Sequence, residues 1–104
     1  MSKPLHMIAG EDIISKHLAA SGEVVGTQAG RLRAIQWVNG AAAGTAIFKD
    51  GGASGTEIHR VNSAASVLTG GWTVLPGGGI PFTTDLYCAI TNTAFVNILW
   101  ARDD

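Results

Sequence analysis

Charged side chains are scarce in this chain of 104 residues, where they make up 14% of the total, against about 25% in an average domain. The net charge is −1 and the seven basic residues are scattered, so no long-range field would attract nucleic acid or an anionic membrane. A small domain with so few charges is expected to have part of its apolar surface covered by another chain. The composition therefore predicts an assembly, with neither nucleic acid nor a membrane as a partner.

Cysteine occurs once, at Cys88, which excludes an internal disulfide and argues against a thiolate metal cluster. No apolar run approaches the roughly 18 residues of a membrane-spanning helix. Glu11 and Asp12 lie where a secretory signal would need its apolar core, so we expect no secretory route.

Glycine, by contrast, is abundant, with 14 residues, and glycine clusters separate short apolar segments. Segments divided by turn signals at this spacing predict a single all-β domain, an antiparallel sandwich or barrel. Residues 10–22 also fit two or three helical turns, with Asp12 as cap and Gly22 as stop, but we favour a strand there. The predicted strands are Ile13–Ala19, Arg31–Val38, Thr45–Lys49, Thr56–Val61, Trp72–Leu75, Leu86–Thr91 and Phe95–Ala101.

Two of these strands carry apolar side chains on both faces. In the last strand Val96, Ile98 and Trp100 alternate with Phe95, Leu99 and Ala101, and Leu86–Thr91 shows a similar pattern. A strand of a monomeric sandwich is normally apolar on one side only. Either the N-terminal arm covers the second face or that face is a subunit interface, and we favour the interface.

The stretch KDGGASGTEIHR, Lys49 to Arg60, combines glycines with an acid, a serine and a histidine. It lacks the spacing of a phosphate-binding loop and of a dinucleotide-binding turn, whereas Asp-Gly between apolar runs is a strong hairpin signal. Glu57 and His59 are expected on one side of a strand, and we interpret them as a cross-face salt bridge or interface contact; the alternative is the acid–imidazole pair of a small hydrolase or lyase. The histidines show no zinc-binding spacing. We therefore expect no enzyme, no cofactor and no metal.

Three tryptophans, Trp37, Trp72 and Trp100, are many for a chain of this size. We expect them in the core or at an interface, because each ring buries a large apolar area. The alternative is a flat tryptophan platform that binds carbohydrate. The segment LPGGGIPF, Leu75 to Phe82, predicts a bend from which Ile80 and Phe82 re-enter the core.

Three longer stretches carry a family likeness: ASGEVVGTQAGRLRAIQW, GTAIFKDGGASGTEI and LPGGGIPFTTDLYCAITNTAFVNILW. They resemble small β-sandwich proteins encoded among the structural genes of tailed bacteriophages, over about residues 19–101. Asp85 stands where that pattern has glycine. The matching positions are Gly30–Leu32, Asp50, Ser54–Thr56, Pro76–Phe82, Leu86–Tyr87 and Phe95–Trp100.

The resemblance implies a virion protein and no catalytic residues. From the strand pattern we predict a jelly-roll-like antiparallel β-sandwich over residues 12–104 and an extended N-terminal arm over residues 1–11. The expected role is that of a capsid cement (decoration) protein, which is made in the bacterial host cytoplasm and stabilises major capsid protein subunits on the capsid surface, favoured as a homotrimer. The alternative is a head-fibre or tail component with a host-recognition or carbohydrate-binding role. We expect Leu5, Met7 and Ile8 to dock the arm, and subunit contacts from Trp37, Tyr87, Phe95 and Trp100.

Overall fold

The computed structural model describes residues 13–65 and 69–102, and every regular element within them is a β-strand. All of the paired strands are antiparallel, which confirms the predicted all-β class. In the described part of the chain no helix is long and apolar enough to cross a membrane. The strands are β1 (Ile13–Leu18), β2 (Gly22–Val25), β3 (Gly30–Asn39), β4 (Gly44–Asp50), β5 (Thr56–Ser63), β6 (Gly70–Val74), β7 (Ile80–Phe82), β8 (Leu86–Thr91) and β9 (Thr93–Arg102).

The strands form two antiparallel sheets in a sandwich-like arrangement. Sheet 1 has the order β1-β9-β3-β6, and the short β7 also pairs with β3. Sheet 2 has the order β2-β8-β4-β5. Side chains from both sheets contribute to one buried apolar cluster, so each sheet has an inner face on this core and an outer face that no described strand covers.

The seven predicted strands are confirmed, each within two residues of the observed ends. The helical alternative for the start of the domain is wrong, because Ile13–Leu18 pairs with β9 along its length. Two strands, Gly22–Val25 and Ile80–Phe82, were not predicted. Both are too short to show alternation, and each is defined by the neighbouring strand with which it pairs.

The core consists of inward-facing residues from alternate positions of both sheets. Cys88 is among the fully buried residues, as expected of a small apolar side chain. Ile80 and Phe82 do pack inward after the triple-glycine bend, as predicted. The largest fully buried side chains are Phe48, Phe82, Leu32, Ile35, Leu86, Ile98, Val96 and Cys88.

The β4–β5 connection is the predicted hairpin turn. Gly51 and Gly52 adopt φ angles of 112° and 82°, a region that side-chain-bearing residues rarely occupy. The residues that follow form β5 and pair with β4. The glycine-rich stretch is therefore a strand connection and lacks the following helix that a phosphate-binding loop requires.

Two aspartates tie this hairpin to the loop before β8. The Asp50 carboxylate accepts hydrogen bonds from the backbone N–H groups of Thr83 (2.8 Å), Thr84 (2.9 Å) and Asp85 (3.3 Å). In return, the Asp85 carboxylate accepts hydrogen bonds of 2.8 Å from the N–H groups of Gly51 and Gly52. Asp85, which departs from the phage pattern, thus has a structural role in holding the two loops together.

These hydrogen bonds predict an acid-sensitive contribution to stability. Burial opposes ionisation of Asp50, but the donors from Thr83, Thr84 and Asp85 outweigh it and hold the pKa below its usual 3.8. The stabilisation is therefore complete above pH 3.8 and is lost as the pH falls through the lower folded-state pKa. We expect Asp50→Asn to cost about 1–2 kcal/mol at neutral pH, with the difference from wild type shrinking as the pH falls below 3.8 and the carboxylate becomes protonated.

Urea unfolding of both proteins between neutral and acidic pH measures this difference. Glu23→Gln is the matched control, since Glu23 is exposed on β2 and its substitution should change stability little. A cost of Asp50→Asn that stays constant down to the lowest pH would show that the carboxylate charge is not what holds the loops.

The two extremes of tryptophan burial predict very different mutational costs. Trp100 is 6% exposed and its ring lies edge-on to Phe82 at 6.1 Å. Trp100→Ala should therefore lower the free energy of unfolding by about 3–5 kcal/mol. Trp72→Ala, at a position that is 68% exposed, should cost under about 1 kcal/mol in dilute protein. Equal losses for the two variants in urea unfolding would contradict the assignment of Trp100 to the core.

Candidate functional site

The outer face of sheet 1 is the most unusual surface of the described structure. Residues directly opposite each other in an antiparallel pair project to the same side. Ile98 and Ile35 are opposite each other and fully buried, so their neighbours along β9 and β3 point outward. The register then gives four outward rows across the sheet: Ile13–Ala101–Arg31–Pro81, Ser15–Leu99–Ala34–Val74, His17–Asn97–Gln36–Trp72 and Phe95–Val38–Gly70.

Large apolar side chains lie uncovered on this surface. Trp72, Val74 and Ile13 are 68%, 60% and 45% exposed, and they are the exposed large hydrophobic residues of the described chain. Half-buried apolar neighbours on β9 and β3 connect them. We call this surface the apolar face; its apolar members are Ile13, Ala34, Val38, Trp72, Val74, Phe95 and Leu99.

A row of polar side chains crosses the apolar face, and its members bind one another. His17 Nδ1 lies 2.7 Å from Asn97 Oδ1, and Asn97 Nδ2 donates to Gln36 Oε1 at 3.0 Å. The His17 ring also packs against Phe95, with 4.9 Å between the ring centroids. Because these groups already have partners, covering them costs less than covering unpaired amides. The row is compatible with a buried surface.

A hollow of about 340 Å³ lies beside this row, where the small side chain of Ala34 separates Leu99 from Trp72. A second hollow of about 350 Å³ lies on the other side of Trp72, next to Gly70. The indole therefore stands between two depressions. A partner with projecting apolar side chains would fit this relief better than a flat one.

The outer face of sheet 2 has a different character. One of its rows runs Glu23–Tyr87–Lys49–Glu57 across all four strands. Glu57 also forms a bidentate ion pair with Arg60, at 2.9 and 3.0 Å, and these hydrogen bonds hold the pKa of Glu57 below its usual value. This face has the charged composition of a solvated surface. The two outer faces are thus unlike, and the apolar one belongs to sheet 1.

The structure separates the four aromatic residues that were predicted to make subunit contacts. Phe95 lies on the apolar face and Tyr87 on the outer face of sheet 2. Trp37 is opposite the core residue Val96 and is half-buried, so it points inward. Trp100 is a correction: its ring is in the core, so it has almost no surface to offer a partner. The proposed arm residues Leu5, Met7 and Ile8 lie outside the described residues.

Trp72, Val74 and Ile13 were missed as surface residues by sequence reasoning. Trp72 and Val74 lie on β6, an edge strand of only five residues. A strand this short gives too few alternating positions to show which side faces the core. The usable signal was the pair of glycines before Trp72, since Gly71 leaves room for the Trp37 ring, which an added Cβ would meet at 2.5 Å.

The Glu57–His59 pair does not share a face, contrary to expectation. The register of β4 and β5 shifts between Phe48 and Lys49, which is a β-bulge that inserts one residue, Ile58, into β5. His59 therefore lies opposite the core residue Phe48, while Glu57 lies opposite Lys49 on the outer face. The bulge separates the acid from the imidazole, so no acid–imidazole pair forms at this position.

Two further features bear on ligands. Among residues 13–65 and 69–102, no three acid, histidine or cysteine side chains cluster as a metal site would require. A carbohydrate platform of two coplanar tryptophans is also absent, because of the three tryptophans only Trp72 is strongly exposed.

No family model, no curated protein and no solved structure matches this chain.

Burial also predicts that Cys88 is chemically inert in the folded protein. Desolvation raises the pKa of its thiol to about 12, so only about one thiol in ten thousand is ionised at pH 8. We expect no labelling by a disulfide-exchange reagent at pH 8 in native protein, and one thiol per chain after unfolding in urea. Ser54→Cys, in the exposed β4–β5 turn, is the positive control. Native Cys88 that reacts as fast as this control would contradict its burial.

Proposed function

We propose that this protein is a non-enzymatic structural protein that assembles with copies of itself through the apolar face. The observation that carries the proposal is the exposure of Trp72, Val74 and Ile13 on one side of one sheet. Burying the exposed part of the Trp72 ring alone would contribute about 2–4 kcal/mol before ordering costs. Exposed aromatic residues of this kind are the usual anchors of protein interfaces.

The face is a better contact surface than the strand edge. Lys16 lies on edge strand β1 opposite the core residue Ile98, yet its side chain is exposed. A charged residue on the inward side of an edge strand opposes edge-to-edge pairing with another chain, because it would have to be buried. Association through the apolar face leaves Lys16 at the strand edge in solvent, and the polar row on that face is hydrogen-bonded along its length.

We further propose that the assembly belongs to a tailed-phage virion. The protein would act as a capsid cement protein that binds major capsid protein subunits, with a homotrimer as the favoured form. The quoted sequence resemblance supports this role. The low charge content also supports it, because it is typical of a chain whose surface is partly buried in an assembly. The protein would be made in the bacterial host cytoplasm and end on the capsid surface.

The strand order supports a jelly-roll path through the sandwich. When the short β7 is set aside, the pairs β4–β5, β3–β6, β2–β8 and β1–β9 are nested one inside the other along the chain. Nested antiparallel pairs divided between two sheets are the pattern of jelly rolls, which include viral capsid and lectin domains. The fold is compatible with a capsid role and with a carbohydrate-binding role, so the surface residues are what distinguish the two.

The surface favours assembly over the carbohydrate-binding alternative of a head-fibre or tail component. Stacking on a sugar could use Trp72, which is next to Gln36 in its row. However, Gln36 Oε1 and the Asn97 amide atoms Oδ1 and Nδ2 are already engaged along the row, so few acceptors remain there for sugar hydroxyl groups. The apolar residues on both sides of the row add contact area for a protein partner instead.

Substitution of Trp72 tests self-association. We expect the wild-type chain to form a concentration-dependent oligomer, and Trp72→Ser to raise its dissociation constant roughly 30-fold, from a loss of about 2 kcal/mol. Tyr87→Ser is the matched control, because Tyr87 lies on the outer face of sheet 2. Sedimentation equilibrium or light scattering over a dilution series measures both. A wild-type chain that stays monomeric at high concentration would overturn the proposal.

A separate binding experiment tests the proposed role in the virion. We expect the wild-type protein to co-sediment with shells of the major capsid protein from the same genome and to raise their melting temperature. Trp72→Ser should still bind if the apolar face serves self-association alone, but with weaker stabilisation of the shell. An oligomer that forms normally and ignores the shells would leave self-association standing and remove the cement role.

A further inference from the structure

The apolar face needs an occupant, and the position of Ile13 suggests one. Ile13 is the first described residue, and it lies opposite Ala101, on the apolar face, at the corner where the chain enters the fold. Residues 1–12 precede it and contain Leu5, Met7 and Ile8 among polar residues. A short apolar segment is therefore joined directly to the rim of an uncovered apolar surface.

We propose that residues 1–12 of one copy bind across the apolar face of the next copy, with side chains from Leu5 to Ile8 entering the hollow above Ala34. This inference rests on the proposed self-association and names the segment that achieves it. The hollow is lined mainly by apolar atoms of Ala34, Leu99 and Trp72, which matches aliphatic and thioether side chains.

The direction of β1 favours binding to another copy over binding in the same chain. Ile13 pairs with Ala101, one residue before β9 ends at Arg102. An extended continuation of β1 toward lower residue numbers thus leaves the sheet beyond the end of β9. To cover its own face, the segment would have to reverse direction immediately and cross β9 and β3 to reach Val74.

The lengths permit the exchange. Leu5 precedes Ile13 by eight residues, a span of up to about 26 Å in extended chain. Packed sheets are about 10 Å apart, and three strand spacings across sheet 1 amount to about 14 Å. The segment can therefore bridge two packed copies and still reach the hollow near β6.

The geometry has a consequence for symmetry. A segment given by each copy to the next is a head-to-tail contact, and such contacts form a closed ring when the rotation between copies permits it. In the homotrimer favoured above, each pair of neighbouring copies has one donated segment and one accepting apolar face, and three such contacts close the ring. The exchange would also cover every apolar face once, with none left over.

Cysteine cross-linking between differently tagged copies tests this arrangement. Met7→Cys is placed in one tagged chain and Val74→Cys in the other, the two are mixed to allow subunit exchange, and mild oxidation follows. Cys88 is buried and adds no background. We expect a disulfide between the two tagged chains. The matched control pairs Met7→Cys with Tyr87→Cys, on the outer face of sheet 2, and should give little cross-linked product.

The outcomes separate the two proposals. Loss of the oligomer on deletion of residues 2–11, together with the intermolecular disulfide, supports the exchange. An oligomer that survives this deletion and gives no Met7→Cys to Val74→Cys product overturns the exchange but keeps self-association through the apolar face. A disulfide within a single monomeric chain of the Met7→Cys, Val74→Cys double variant overturns both, since the segment would then cover its own face.

Discussion

The central constraint on this molecule is that strand β9 is apolar on both sides. It lies in the interior of sheet 1, paired with β1 and β3, and its inward residues Val96 and Ile98 are fully buried. Phe95 and Leu99 alternate with them and project outward onto a face that no described strand covers. One strand thus contributes both to the core and to the proposed interface.

The two outer faces differ in the features that would oppose or permit association. The charged row and the Glu57–Arg60 ion pair keep the outer face of sheet 2 solvated, while Lys16 opposes pairing at the β1 edge. On the apolar face, Asn97 is hydrogen-bonded to both His17 and Gln36, which lowers the cost of excluding water there. Charged side chains thus oppose contact through the outer face of sheet 2 and through the β1 edge, the two surfaces that the proposed assembly leaves uncovered.

Most strands could be predicted because alternation and glycine punctuation are local properties. The face of the sheet on which each side chain lies was harder to predict, because it depends on the register between paired strands. The β-bulge opposite Phe48 and Lys49 places Glu57 and His59 on different faces. The residue types at the bulge do not indicate its presence. Trp100 was assigned to an interface since large aromatic rings serve cores and interfaces equally well. Its position opposite Ile14, on the core side of β9, decided the matter.

The sequence by itself determined the all-β class, the hairpin at Gly51 and Gly52 and the surplus of apolar side chains for so small a domain. Only the tertiary structure decided where that surplus lies. Burial depends on which strands become neighbours and in which register, and these are properties of residues far apart in the chain. The exposure of Trp72 and the reciprocal bonds of Asp50 and Asp85 exist only after the sheets have formed, because their partners come from distant strands and loops.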